Sequence, residues 1–305
     1  TDLGVSQNGG RVFERNPGGA VANVACGARK LGLKTAFIGK VGNDMHGRFL
    51  RDTLRSIGVG VDNLILADDV FTTLAFVSLS ENGEREFSFA RKPGADTCLR
   101  ADEIDEVLLK STKALHVGSL SMTDEPSRSA TLSAVKTAKN SGALISYDPN
   151  YRAPLWKNVD EAVFNMRSLL EYADLIKISE EETELLTDFA APEKALDFLL
   201  ENGAVCAAVT LGKNGALAGY KKLRVSVPTF ISSNVVDTTG AGDAFWAAFL
   251  SLVLKRGLKE DLTEGRLIEF VRYANAAASF CVGRHGAIPA LPEAHDVEEI
   301  LKRCR

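Results

Sequence analysis

The sequence predicts an α/β fold: a mostly parallel central sheet with helices on both faces and a small β-sheet lid. Three observations carry this. Short β-rich runs alternate with amphipathic stretches, the pattern of a parallel sheet covered by helices. Several runs end in compact polar or glycine clusters, and in open α/β sheets the ligand site lies beyond the carboxyl ends of the strands. One region, 70–91, breaks the alternation and reads as a hairpin.

From the N-terminus, GGRVFERNPGG (9–19) reads as a short strand followed by a turn. Pro17-Gly18-Gly19 makes that turn, and an alanine-rich helix follows with Asn23 in its first part. The adjacent glycines permit either close packing of helix on sheet or contact between backbone and a small polar ligand, with Asn23 supplying an amide. TAFI (35–38) is the next strand candidate. In 70–91, VFTTLAFVSLS and REFSFAR flank Asn82-Gly83, a strong hairpin signal. The strand period of two puts Phe87, Phe89 and Arg91 on one face. This hairpin is either an ordinary sheet edge or, with about 9–16, a β lid (about 70–92) over the strand ends; lids exclude water and control access. Further strands are predicted at 114–117, 143–147, 174–178, 206–210 and 231–236, and helices at 127–140, 159–172, 181–188 and 193–202. The clusters that close the strands are Gly118-Ser119, Asp148-Pro149-Asn150, Ser179-Glu180, Leu211-Gly212 and Asp237-Thr238, and these are the first places to search for a site.

The bulk numbers set limits. A chain of 305 residues, 45% hydrophobic and 25% charged, makes one large or two small domains and buries a sizeable core without disulfides or metals. Net charge is −4 with signs mixed, so neither a nucleic-acid partner nor a disordered acidic tail is expected. No segment reaches 18 apolar residues, and the N-terminus has no signal-peptide pattern, so no membrane partner is expected. The five cysteines (Cys26, Cys98, Cys206, Cys281 and Cys304) are scattered without a CxxC pair, which fits a reducing, cytoplasmic compartment.

The usual catalytic signatures are absent: no Walker A loop, no GxGxxG, no HExxH and no GxSxG. DTTGAGDAFWAAFL (237–250) offers another arrangement. The strand predicted at 231–236 runs through Gly240-Ala241-Gly242-Asp243 into a long apolar helix. The first N–H groups of a helix lack intrahelical partners and lie at the positive end of its dipole, which suits a phosphate. Two glycines let a bulky anion approach the backbone. Asp243 beside them reads either as a first-turn acid that complements the dipole or as a base that accepts a hydroxyl proton during phosphoryl transfer.

Together PGGAVANVACGARKLG (17–32), GKVGNDMHGRFL (39–50) and DTTGAGDAFWAAFL resemble the two signatures of the ribokinase-like carbohydrate kinases, the PfkB family, in the right order along essentially the whole chain. FERNPGGAVANVA (13–25), FARKPGADTCL (89–99), HVGSLSMTDEPSRSA (116–130) and YDPNYRAPLW (147–156) resemble its fructokinase branch. The resemblance implies one ribokinase-like kinase domain over 1–305 that transfers the ATP γ-phosphate to a primary sugar hydroxyl, with Asp243 as base and the N–H groups of Gly240, Ala241, Gly242 and Asp243 as anion hole. It places Gly18, Gly19, Asn23, Phe89, Arg91 and Arg152 at the sugar, and Thr210, Gly212, Gly215, Gly242 and Asn275 at ATP. The family's Asn-x-x-Glu magnesium motif becomes Ser179-Glu180-Glu181-Glu182 here, which keeps Glu182 for Mg²⁺, although alone these acids also read as a solvated helix start. A monovalent cation, K⁺, is implied near Asp237, Thr239, Cys281, Arg284 and Gly286.

Family members open with a first strand that ends in a sugar-binding acid; this sequence opens with Thr1-Asp2-Leu3, expected to follow that strand, with Asp2 in a polar loop. Three rival functions stay open: fructokinase, a sister kinase for 2-keto-3-deoxygluconate, ribose or a nucleoside, and a catalytically silent sugar-binding regulator. The hairpin edge, with Phe87 and Phe89 expected at the surface, predicts a homodimer through the lid.

Overall fold

A computed structural model describes residues 2–6, 8–79, 85–231, 235–258 and 262–303. The turn Asn82-Gly83, the side chain of Phe87 and Cys304 lie outside the described residues. In chain order the elements are β1 (Asp2–Val5), β2 (Arg11–Phe13), α1 (Ala20–Lys30), β3 (Gly39–Gly42), α2 (Met45–Ile57), β4 (Leu64–Ala67), β5 (Leu74–Leu79), β6 (Arg85–Ala90), α3 (Glu106–Ser111) and β7 (Ala114–Gly118). There follow α4 (Ser127–Asn140), β8 (Leu144–Asp148), α5 (Val159–Arg167), β9 (Leu175–Ser179), α6 (Thr183–Thr187), α7 (Pro192–Glu201), β10 (Cys206–Thr210), β11 (Ala216–Tyr220), β12 (Leu223–Val227), α8 (Ala241–Arg256), α9 (Glu264–Cys281) and α10 (Ala294–Arg303).

The central sheet has the order β12-β11-β10-β9-β8-β7. β7 to β10 run parallel, and β11 and β12 continue as antiparallel hairpins. Its core follows the strand period of two. Leu175, Cys206, Ala208, Ala216, Ala218 and Tyr220 pack on one face with α1, α8 and α9. Ile145, Tyr147, Ile176, Ile178, Ala207 and Val209 pack on the other with α4, α5 and α7. β3 and β4 form a separate parallel pair. The lid is built from two antiparallel pairs, β1–β2 and β5–β6, with Ala75 opposite Phe89.

Three expectations are corrected. TAFI forms only an isolated bridge, Ala36 to Gly60, and the strand begins at Gly39. Asp2 is not in a polar loop: β1 pairs with β2 across a turn in which Ser6 N–H donates to the Gly10 carbonyl at 2.8 Å. Of the strand expected at 231–236, residues 232–234 lie outside the described residues, and Ile231, Val235 and Val236 are not in a strand. Among the described residues the sheet ends at β12, and Ile231 and Val235 are 93% and 60% exposed. Val236 and Asp237 instead donate to the Val282 carbonyl beyond α9. The other elements match within about two residues, except that the helix expected at 159–172 stops at Arg167 and the one at 181–188 opens with a 3₁₀ turn.

α8 decides where the site lies. It is apolar all round, and every residue from Asp243 to Val253 is buried. Phe245, Trp246 and Phe249 stack along it, and Phe270 of α9 meets Phe249 edge-on at 6.1 Å. Trp246 Nε1 donates to Ser146 Oγ of β8 at 2.9 Å, which fixes the helix against the sheet. α1 lies close against α8 because Gly27 has no side chain: a Cβ there would stand 2.8 Å from that of Ala247. Gly27→Val should therefore overpack this contact and cost about 1–3 kcal/mol of stability. Chemical denaturation monitored by the buried Trp246 reads this as a lower midpoint at unchanged slope.

Candidate active site

Gly240 caps α8 with φ 81°, in the left-handed region that favours glycine, and a Cβ there would stand 3.1 Å from Ala287. No side chain caps this terminus. Ala241 N–H turns back to the Thr238 carbonyl at 3.3 Å, so of the N–H groups expected to face an anion this one is already engaged. Gly242 has a different reason: a Cβ there would stand 3.1 Å from Lys177 Nζ. Asp243 follows, buried, with Oδ2 accepting from Asn23 Nδ2 of α1 at 2.7 Å. Burial, with Asp148 nearby, pushes the Asp243 carboxyl up to about 6, against the opposing pull of Asn23, Lys177 and Arg152. This is the range in which a general base works near neutral pH.

Beneath this turn, the strand ends carry a charged cluster. Lys177 of β9 and Asp148 of β8 form an ion pair at 2.8 Å, with side chains 7% and 3% exposed. Asp148 Oδ1 and Asn23 Oδ1 are buried without a hydrogen-bond partner. Glu182 is buried as well: Oε1 accepts from Tyr151 N–H at 2.7 Å and Oε2 from Ser179 N–H at 2.8 Å. Burial and Asp148 raise its pKa. It clasps the loops after β8 and β9 together.

One cavity of about 2270 Å³ joins Gly18, Gly19, Asn23, Phe89, Arg91, Arg152, Thr210, Gly212, Gly242 and Asp243. Phe89 is half-buried on the cavity wall rather than at the surface. Arg91 is buried, and its guanidinium is already engaged by Asp96, Thr123 Oγ1 and the Leu120 carbonyl. It ties the lid to the loop after β7. Arg152 is exposed beside the cavity. Gly215 and Asn275 stand apart from the cavity wall. Gly215 has φ 101°, and a Cβ there would strike the Val227 carbonyl. Asn275 Nδ2 donates to the carbonyls of Val227 and Pro228, both at 3.1 Å. Both hold β12 in place. The loop 236–240 is tied to 281–287: Asp237 accepts from Thr239 N–H and Gly286 N–H, and Cys281 Sγ lies 3.6 Å from the Thr239 carbonyl. Arg284 stacks on Phe280. Among the described residues no cluster of three His, Cys, Asp or Glu forms a metal cage.

Residues 4–294 match the pfkB family of carbohydrate kinases. The chain belongs to that family. It is 42% identical over 300 residues to probable fructokinase-5 of Arabidopsis thaliana, covering 98% of this chain and 92% of the relative. Its structure is similar to fructokinase with bound ATP from Xylella fastidiosa, with TM-score 0.89 and 30% identity over 96% of this chain and 93% of that one. It is also similar to fructokinase from Vibrio cholerae O395 in its fructose, ADP and calcium bound form, with TM-score 0.85 and 33% identity over 95% and 92%.

For a PfkB kinase, the sequence located the central turn and the acid beside it. It missed two residues that the fold brings to them. Asp148 ends a strand within a cluster already marked for search, and Lys177 is a lone cation inside the apolar run LIKIS. The Asp243 carboxyl is expected to titrate near 6. Asn23 donates to its ionised form, so Asn23→Leu should raise that pKa further; a hydrogen bond to a charged group is worth ~1.5–3 kcal/mol, or about one to two pH units. Carbon-13 NMR titration of the labelled carboxyl measures the shift.

Proposed function

We propose that this chain is an ATP-dependent fructokinase that converts D-fructose to fructose 6-phosphate. The observation that carries the reading is Asp243, a buried carboxylate at the bare N-terminus of α8, in one cavity with the lid, the α1 turn and the Thr210–Gly212 edge. The fructokinases at about 40% identity over nearly the full length support the choice of sugar.

In this mechanism the sugar's primary hydroxyl attacks the γ-phosphorus of ATP and passes its proton to Asp243. The bond from that phosphorus to the bridging oxygen breaks, and ADP leaves. The N–H groups at the start of α8 take up the negative charge of the transferred group. Asn23 holds the Asp243 carboxylate at a fixed angle, and its unpartnered Oδ1 is available to a sugar hydroxyl. Closing β1–β2 and β5–β6 over the sugar excludes competing water. Magnesium would travel with ATP and offset phosphate charge, with Glu182 acting through water. K⁺ would be held by carbonyls of the 237–239 and 281–286 loops, which the Asp237 hydrogen bonds already bring together.

Two further observations belong to this reading. Phe37, Ile38, Leu115 and Val117 line the same cavity, and His116 Nε2 and Thr35 Oγ1 are buried without a hydrogen-bond partner. No helix of the described residues is long and apolar enough to cross a membrane; with Cys26, Cys98, Cys206 and Cys281 all free, this supports a reducing cytoplasmic setting.

In a coupled assay with ATP and fructose, Asp243→Asn should lose ~10²–10⁴-fold in kcat while calorimetric fructose binding survives. Near-normal kcat in that variant would remove Asp243 as base, and a wild-type protein that binds fructose yet turns over no sugar would be a regulator. A homodimer through the lid is also expected, now through Phe13 and Phe76, which are 50% and 41% exposed and meet edge-on at 5.8 Å. Sedimentation at micromolar concentration should show a dimer that Phe13→Glu with Phe76→Glu converts to monomer.

A further inference from the structure

Apart from its pairing with Asp148, Lys177 answers no packing need of β9. It sits inside β9, whose neighbours Ile176 and Ile178 are fully buried, and replacing a buried ion pair by apolar side chains of similar volume is often neutral or stabilising. Its ammonium points at the start of α8: Nζ stands 3.1 Å from where a Cβ of Gly242 would be, so the second glycine of the turn clears room for this cation. A positive charge against the positive end of a helix dipole is unfavourable until an anion joins it. Asp148 offsets part of that charge at 2.8 Å, through Oδ2 alone. Its other oxygen, Oδ1, is buried and unpartnered, so the pair is not a closed structural unit. Burial disfavours the ammonium, but Asp148, Glu182 and Asp243 together outweigh that and keep it charged.

We propose that Lys177 is a positioning residue for phosphoryl transfer: held by Asp148 beneath Gly242, its ammonium is the fixed positive charge under the anion hole that lets a polyphosphate sit beside the Asp148, Glu182 and Asp243 carboxylates. Without it, the charges of Asp148, Glu182 and Asp243, which all act on this ammonium, would lose that counter-charge. The inference rests on the reading of Asp243 as base and of the α8 N-terminus as anion hole.

The test compares four purified proteins in the ATP and fructose assay: wild type, Lys177→Met, Lys177→Arg and the double variant Lys177→Met/Asp148→Asn. Lys177→Met should lose ~10²-fold or more in kcat, the scale of one lost donor at a developing anion, with the KM for fructose changed less than about threefold. Lys177→Arg should recover about tenfold of that loss, because the charge returns without the geometry. The double variant removes both charges, so it keeps the local balance and should regain the thermal midpoint that Lys177→Met loses, but not its kcat. If the double variant regains wild-type kcat, Lys177 only offsets Asp148 and the proposal is overturned. Should Lys177→Met fail to fold, the double variant and Lys177→Arg decide alone. A failure here is separable from failure of the base: an active Asp243→Asn protein removes the base, whereas an inactive Asp243→Asn with a fully active double variant removes only the role of Lys177.

Discussion

The site depends on one buried hydrogen bond, from Asn23 Nδ2 to Asp243 Oδ2, between residues 220 positions apart. A carboxylate taken out of water at the end of an apolar helix is costly unless donors meet it. Asn23 meets it only because α1 and α8 lie side by side, and they lie side by side only because Gly27 leaves room for Ala247. The side chains of α8 then lock the arrangement, since Trp246 reaches Ser146 and the aromatic stack extends into α9.

This scaffold explains where the polar groups find their partners. Asp243, Asp148, Glu182 and Lys177 lie towards the carboxyl ends of the strands and the start of α8, where backbone N–H groups and the helix dipole are available and where Asp148, the last residue of β8, pairs with Lys177 in the middle of β9. Each carboxylate has a different set of partners: an amide for Asp243, an ammonium for Asp148, two backbone N–H groups for Glu182. Burial raises the carboxyls of both Asp243 and Glu182, and the amide of Asn23 and the backbone N–H groups on Glu182 pull the other way.

Some site residues were legible because their reason is local. Gly240 is needed by a left-handed cap, and Asp243 sits one turn into the helix that follows. Others carried a local signal with a different meaning. Gly242 reads as space for a phosphate, yet the atom nearest its missing Cβ belongs to Lys177. Arg91 reads as a sugar contact from the face of the hairpin, yet its guanidinium is engaged by the loop after β7. Gly215 and Asn275 support β12 instead of lining the cavity. The departure at Ile231, Val235 and Val236 has the same origin: a β-rich run carries no information about whether a sheet edge is free to receive it.

By itself the sequence determined the alternation of strand and helix, the parallel core from β7 to β10, the lid hairpin and the turn that precedes Asp243, because each follows from periodicity and from turn chemistry within about twenty residues. The tertiary structure alone decided that Asn23 partners Asp243, that Lys177 stands under Gly242 beside Asp148, and that Glu182 clasps two loops. Those pairings join distant segments, and a charge carries no sign in sequence of which opposite charge will be buried beside it.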